Sequence, residues 1–279
     1  MEKPLFELVT TKTGAISIRN NVVGEIMHNP VGPWVEANAL YVDQSRLRER
    51  LSLATIEPLV VFDVGLGAAA NALAALVCAR ETDGRGLSLV SFERDLALLR
   101  FALESSSHFA HFKGYEEGLT QLLQTGEWSS GKHSWKLHHG DFSVCLDAHL
   151  ASHGEKPHVI FYDPYSPKVN REMWSTAIFS KIRGACREPA EGGTSLYTYS
   201  QATRIRVSLL RAGFHVGYGA PTGLKTETTV ASTDFGQLAS PLGASWLERW
   251  SRSHDRYPYD CEKASEAAMD EFIKAQIFA

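Results

Sequence analysis

Residues 58–71, PLVVFDVGLGAAAN, decide how the rest of the chain reads. A continuous apolar run, Leu59, Val60, Val61 and Phe62, ends in Asp63, and two glycines follow at the spacing Gly65-x-Gly67. An apolar run closed by a glycine turn reads as a strand buried on both faces. The next residues, NALAALVCARE, are good helix formers, so the order is strand, tight turn, helix. Glycine lets the backbone approach a ligand that a Cβ would block, and this order opens a nucleotide site. A dinucleotide fingerprint has a third glycine at the helix start to admit a pyrophosphate; Ala68, Ala69 and Ala70 fill that region here. An acidic residue two before the first glycine suits a ligand with an ammonium group and no phosphate.

Outward from this unit, strands and helices alternate. LSLVSFERD is a second strand followed by the helix DLALLRFALESS, and GYEEGLTQLLQTG with the polar loop 129–132 is expected to be an insertion. WKLHHGD, HVIFYDPY and TSLYTYS are the third to fifth strands, each followed by a helical run, and FHVGYG and KTETTVAS are two closing strands. This alternation predicts an α/β fold, a mostly parallel seven-stranded sheet with helices on both faces. Upstream, FELVTT, AISIRN and VVGEI predict a small β-meander, then a Pro/Gly loop, HNPVGPW, and one amphipathic helix in VEANALYVDQSRLRERL. The organisation expected is a meander and helix over 1–57, a ligand-binding core over 58–235 and a C-terminal helical tail over 236–279.

Composition sets bounds. With 44% hydrophobic and 22% charged residues the chain reads as an ordinary soluble domain. No apolar run approaches the ~18–20 residues that span a bilayer, so no membrane partner is expected. Four cysteines, Cys78, Cys145, Cys186 and Cys261, show no paired spacing, which points to a reducing compartment, the cytoplasm. His149 and His153 stand four apart, but no cysteine or H-E-x-x-H context accompanies them, so no metal is expected. A net charge of −4 argues against a generally basic nucleic-acid binder, yet residues 165–230 carry nine Lys/Arg against four Asp/Glu. That local excess suits either an anionic partner or a solvated helix surface.

In open α/β sheets ligands sit at the carboxyl ends of the strands. Four strand ends here carry carboxylates: Asp63, Glu93, Asp141 and Asp163. Glu93 is placed to accept the two hydroxyls of a ribose. Asp141 suits an exocyclic amino group, with Phe142 on the ring face, and equally suits a helix N-cap. Asp163 leaves a buried strand into a turn stiffened by Pro164 and Pro167, with Tyr162 and Tyr165 on either side to bracket a flat substrate. A carboxylate there can orient an amine and take its proton. Each has a structural alternative: Glu93 as a surface residue, Asp141 as a cap alone, and Asp163-Pro164-Tyr165 as turn chemistry.

Taken together, the motifs resemble class I S-adenosylmethionine (SAM) methyltransferases. Within that class they are similar to the methyltransferase domain of the MnmC-like tRNA 5-methylaminomethyl-2-thiouridine family. EIMHNPVGPWVEANALYV resembles the family's segment before the core, DVGLGAAAN its glycine turn, FYDPYSPKVNREMW its Asp-to-Trp element, and LLRAGFHVGYGAPTGLKTETTVAS its closing segment. Ala69 for the third glycine, Tyr165 for a Phe, and Lys225-Thr226-Glu227 without a second basic residue are departures. The resemblance implies SAM held by Glu36, Asp63, Gly65, Gly67, Asn71, Glu93, Asp141 and Phe142. It implies Asp163 at the acceptor amine, Tyr165, Lys168 and Lys225 toward the substrate, and tRNA as that substrate. In some relatives a flavin oxidoreductase is fused; no second nucleotide fingerprint occurs in this sequence, so a separate one acting upstream is expected. Rival readings are a small-molecule N-methyltransferase, an aminopropyl transferase disfavoured by the basic residues after Asp163, and a non-catalytic RNA-binding protein with a vestigial site.

Overall fold

The computed structural model describes residues 4–27, 31–223 and 225–278. The expected meander is present: β1 (Phe6–Thr10), β2 (Ile16–Asn20) and β3 (Glu25–Ile26) form a separate antiparallel sheet in that order. Residues 28–30, the start of the expected Pro/Gly loop, lie outside the described residues. Gly32 then adopts φ 97°, and a Cβ there would stand 2.7 Å from the Ala15 Cβ, so glycine lets the next helix start against β2.

One helix was expected over residues 35–51; three segments occur instead. They are α1 (Pro33–Ala37), a π-helical stretch Asn38–Asp43, and α2 (Leu47–Leu51). Arg46, at φ 53°, breaks the ladder in a left-handed conformation that a periodicity count cannot register.

The main sheet contains β4 (Leu59–Val64), β5 (Leu87–Glu93), β6 (Glu127–Ser130), β7 (His133–His139), β8 (Val159–Tyr162), β9 (Ser195–Thr198), β10 (His215–Gly219) and β11 (Thr228–Ser232). Its spatial order is β10-β11-β9-β8-β4-β5-β7-β6, eight strands where seven were expected. The addition is β6, which pairs antiparallel with β7 through a two-residue turn at Gly131-Lys132. Gly131 supplies φ 59° for that turn. Its strand residues are largely exposed, so the segment lacks the apolar pattern that marks a buried strand.

Pairings among β4, β5, β7, β8 and β9 are parallel, while β10 and β11 close the other edge as a hairpin. Helices α3 (Ala70–Arg80), α4 (Ala97–Glu104), α5 (Glu116–Thr125), α6 (Phe142–His153), α7 (Thr176–Ala185), α8 (Thr203–Arg211), α9 (Ala244–Arg252) and α10 (Glu266–Phe278) complete the order. Side chains alternate across a strand. Leu59 and Val61 of β4 therefore join one core with α2 to α5, and Val60, Phe62 and Val64 join a second with α6 to α10. The tail belongs to that second core through Trp246, Trp250, Met269 and Ile273. It also caps α7: both Asp260 carboxylate oxygens accept backbone N–H groups, from Thr176 and Ala177, at 3.1 Å.

The chain runs outward from β4 through β5 to β7, then returns to β8 beside β4. That reversal puts the topological switch point, where such sheets bind ligands, between β4 and β8.

Candidate active site

A cavity of about 680 Å³ opens at that point, a size suited to a cofactor with part of a substrate. Its wall includes Glu36, Gly65, Gly67, Asn71, Glu93, Asp141, Phe142, Asp163, Tyr165 and Lys225, ten of the residues picked from the sequence. Two others are elsewhere. Lys168 is exposed, next to the cavity-lining Val169.

Asp63 is fully buried on the α3 side of the sheet, off the cavity wall. Its Oδ2 accepts the Ser91 hydroxyl at 2.8 Å, and Ser91 Oγ accepts Trp135 Nε1 at 2.9 Å. A doubly buried strand gives no sign of which face each residue takes, so position at the strand end was mistaken for access. Burial pushes the Asp63 carboxyl up to about 7, against the Ser91 hydrogen bond that lowers it.

Gly65, at φ 90°, serves a close approach that the sequence did not reveal. A Cβ there would stand 2.6 Å from the Asp163 carbonyl oxygen, so the glycine seats the β4 turn on the start of the Asp163 loop. Gly67 donates its N–H to Glu93 Oε2 at 3.0 Å, and Asp95 donates to Oε1 at 3.0 Å. These bonds aim the Glu93 carboxylate along the cavity wall; burial raises its pKa, and the backbone donors oppose that rise. Ala69 takes the third glycine's place in a left-handed conformation, φ 61°, with its methyl in the core.

Asp141 caps α6, accepting the Val144 N–H at 3.2 Å, so the cap role is real and coexists with a place on the wall. Phe142 meets Phe92 edge-on at 5.3 Å. Tyr162 does not bracket the site: it is fully buried between Trp174 and Phe179, donating its hydroxyl to the Met173 carbonyl. His149 is buried against the Phe62 and Phe92 rings, with Nδ1 3.0 Å from His138 Nε2. The side chain of His153 lies outside the described part. Among the described residues, no group of three or more His, Cys, Asp or Glu could hold a metal ion.

At the Asp163 end of the cavity, Asn71 donates Nδ2–H to Asp163 Oδ2 at 2.7 Å. The opposite amide oxygen, Asn71 Oδ1, is buried without a hydrogen-bond partner. Lys225 donates to the Tyr199 carbonyl at 3.0 Å and lies 4.3 Å from that ring's centre. Burial lowers the Lys225 pKa, while Glu36 and Asp163 hold it up. The Tyr41 hydroxyl is buried near Asp163, and burial, followed by the Asp163 charge, raises its pKa.

The sequence reading missed the meander's part. Asn20 donates to the Tyr165 hydroxyl at 3.1 Å, and Ser166 donates its hydroxyl to Glu25, so β2 and β3 clasp the Asp163 loop. Among the described residues, seven carboxylates and two cations, Arg94 and Lys225, line the cavity. The basic excess of residues 165–230 is not one open face: Lys181, Arg183, Arg187, Arg204 and Arg206 are all in ion pairs.

Residues 111–234 match a family model described as S-adenosyl-L-methionine-dependent methyltransferase. The chain is 28% identical over 229 residues to the tRNA 5-methylaminomethyl-2-thiouridine biosynthesis bifunctional protein MnmC of Pseudomonas putida, covering 77% of this chain and 33% of that protein. It is 27% identical over 206 residues to MnmC of Dichelobacter nodosus, covering 69% and 31%. The crystal structure of MnmC2 from Aquifex aeolicus superposes with a TM-score of 0.72 at 24% identity, covering 99% of this chain and 86% of that one. The chain thus spans about a third of the length of these curated relatives.

Sheet order, cradle and family match define a class I SAM-dependent methyltransferase. The cavity fits SAM by its own chemistry, since it offers a wall carboxylate, Glu93, of the kind that accepts ribose hydroxyls, and an orphaned buried acceptor, Asn71 Oδ1, of the kind that accepts from an ammonium group. Within that class the chain is similar to the MnmC proteins of Pseudomonas putida and Dichelobacter nodosus.

Proposed function

We propose that this protein methylates the aminomethyl nitrogen of a modified uridine at the wobble position of tRNA. The observation that carries this reading is the carboxylate-rich wall, with Asp163 held by Asn71 and with Glu36 and Glu25 lining the same cavity. Such a wall favours a cationic amine and disfavours a phosphate or carboxylate in the same place.

SAM supplies a methyl group already activated on a sulfonium, so alignment is the enzyme's main task. Glu93 holds the ribose hydroxyls, Asp141 and Phe142 the adenine, and the Gly65–Gly67 turn with Asn71 and Glu36 the amino-acid end. Asp63 supports the turn from beneath through Ser91. Asp163 orients the acceptor amine and takes its proton, leaving a lone pair directed into the cavity. Tyr165 and Lys225 contact the substrate within the cavity, and Lys168 contacts it at the rim. Residues 58–235 form the catalytic core, with 1–57 and 236–279 as appendages. The cytoplasm is the compartment, in keeping with four unpaired cysteines. A separate flavin oxidoreductase would act upstream to expose the amine.

The test is methyl transfer from labelled SAM to tRNA that carries 5-aminomethyl groups at the wobble uridine. Labelled methylaminomethyl-uridine is expected, lost in Asp163→Ala while SAM binding persists. No transfer to such tRNA would overturn the reading. A small amine is the second acceptor, favoured by the net charge of −4, and transfer to it without transfer to RNA would select it.

A further inference from the structure

A second concavity, about 530 Å³, lies on the other side of α1 from the catalytic cavity. Glu36 of α1 faces the cavity, whereas Trp34 and Val35 of the same helix face this groove. One wall is a ready-made aromatic pair, Trp34 and His111, stacked with centroids 5.0 Å apart and planes 10° apart. Tyr115 lines the far side beneath the Arg80 guanidinium, 5.3 Å from the ring centre. Lys113 and Val35 are exposed at the rim, Val35 to 57%.

The charge of the two concavities is opposite. Among the described residues, the catalytic cavity has seven carboxylates, while the groove's lining includes a lysine and two histidines and no acid. The two are also neighbours: a small void between them shares Met27 and Ala68 with the cavity, and Pro33, Phe109 and His111 with the groove. Flat aromatic surface beside cations, without acids, is the chemistry that holds a single-stranded nucleotide: stacking for the base, positive charge for its phosphate.

We propose that this groove binds a nucleotide of the substrate RNA next to the one whose amine enters the catalytic cavity. The inference rests on the proposed RNA substrate and adds where the RNA is gripped. It divides the labour between the concavities. The acidic cavity takes the cationic aminomethyl group and would repel the backbone; the groove takes the anionic backbone and a stacked base. That division lets a protein of net charge −4 bind RNA locally.

The test uses an anticodon stem-loop with 5-aminomethyluridine at the wobble position, compared with the free 5-aminomethyl nucleoside. Lys113→Glu and Val35→Asp alter exposed rim residues and leave the catalytic cavity intact. Each is expected to raise KM for the stem-loop about tenfold, the scale of one lost stacking or phosphate contact. Neither should change the SAM Kd, the stem-loop kcat or the rate on the free nucleoside. Lys113→Arg should restore the KM, and Lys113→Glu should flatten its salt dependence. Wild-type KM and salt dependence in both variants, with methyl transfer to the stem-loop intact, would overturn the groove and leave the RNA reading standing, the groove then being free for an acidic protein segment. No transfer to the stem-loop by the wild type would overturn the RNA reading, and the groove with it.

Discussion

Asn71, in the first turn of α3, donates its amide hydrogen to Asp163 Oδ2 across 2.7 Å, tying the glycine-turn helix to the loop after β8. The two are 92 residues apart in sequence, so this bond ties the glycine-turn helix to the Asp163 side chain through the fold alone. A hydrogen bond to a charged group contributes about 1.5–3 kcal/mol. If it holds Asp163 in its working orientation, Asn71→Ala should lower kcat about ten- to a hundredfold. Asn71→Asp should be worse, because it sets two carboxylates against each other. Single-turnover methyl transfer measures both, and a wild-type rate in Asn71→Ala would remove the bond from the mechanism.

The two Glu93 oxygens accept N–H bonds from Gly67 and Asp95, which shapes the turn, and each keeps a lone pair that, in the proposed role, takes a ribose hydroxyl. Loss of two hydrogen bonds to a charged acceptor would raise the SAM Kd about a hundredfold or more in Glu93→Ala. Titration calorimetry checks this, with a thermal melt to separate lost affinity from lost folding. Unchanged affinity would exclude Glu93 from the cofactor site.

The parts of this site that were legible in the sequence are those carried by contiguous residues. The β4–turn–α3 unit, and strand-end carboxylates such as Glu93 and Asp163, follow from an apolar run and what stands after it. Asp63 shows where that reading stops: both faces of β4 are buried, so nothing in the pattern says that residue 63 points toward Trp135 rather than the cavity. Tyr162 and Tyr165 look alike in sequence, yet one is core and the other lines the site. The clasp by Asn20 and Glu25 was invisible because its partners lie 145 and 141 residues away. β6 was missed because its exposed, polar residues are held by pairing with β7 rather than by burial.

Glu227, which follows Lys225-Thr226, has a structural task. It accepts from Arg206 Nη1 at 2.9 Å and from Arg249 Nη2 at 3.1 Å. Arg206 is 1% exposed, with its remaining donors on Thr229 Oγ1 and the Thr228 carbonyl. Breaking a buried pair by removing one partner costs about 3–5 kcal/mol when the other charge is left uncompensated. Glu227→Ala strands the buried Arg206 and should approach that cost. Arg206→Met leaves Glu227 with Arg249 and should cost less, about 1–3 kcal/mol. Denaturant unfolding measures the order, and equal or reversed losses would refute it.

A buried carboxyl and a partly buried imidazole titrate in opposition. Burial raises the folded-state Asp63 carboxyl to about 7, above an unfolded value of about 3.9. Between those values the folded chain keeps a proton that the unfolded chain has lost, so this group's contribution falls as pH rises, by up to roughly 4 kcal/mol. His158 runs the other way. Burial, then Arg187, Arg85 and Arg50, lowers it to about 3, from an unfolded value of about 6.5. Between those values the unfolded chain holds the extra proton, so stability rises with pH and is lost on acidification. The windows overlap from about pH 4 to 6.5, where the two slopes largely cancel. Removing one group should expose the other: Asp63→Asn should become more stable as pH rises from 4 to 6.5 relative to the wild type, and His158→Gln less stable. Thermal melts at half-unit steps of pH test the pair, and parallel profiles for both variants and the wild type would show that neither group titrates between the folded and unfolded states as described.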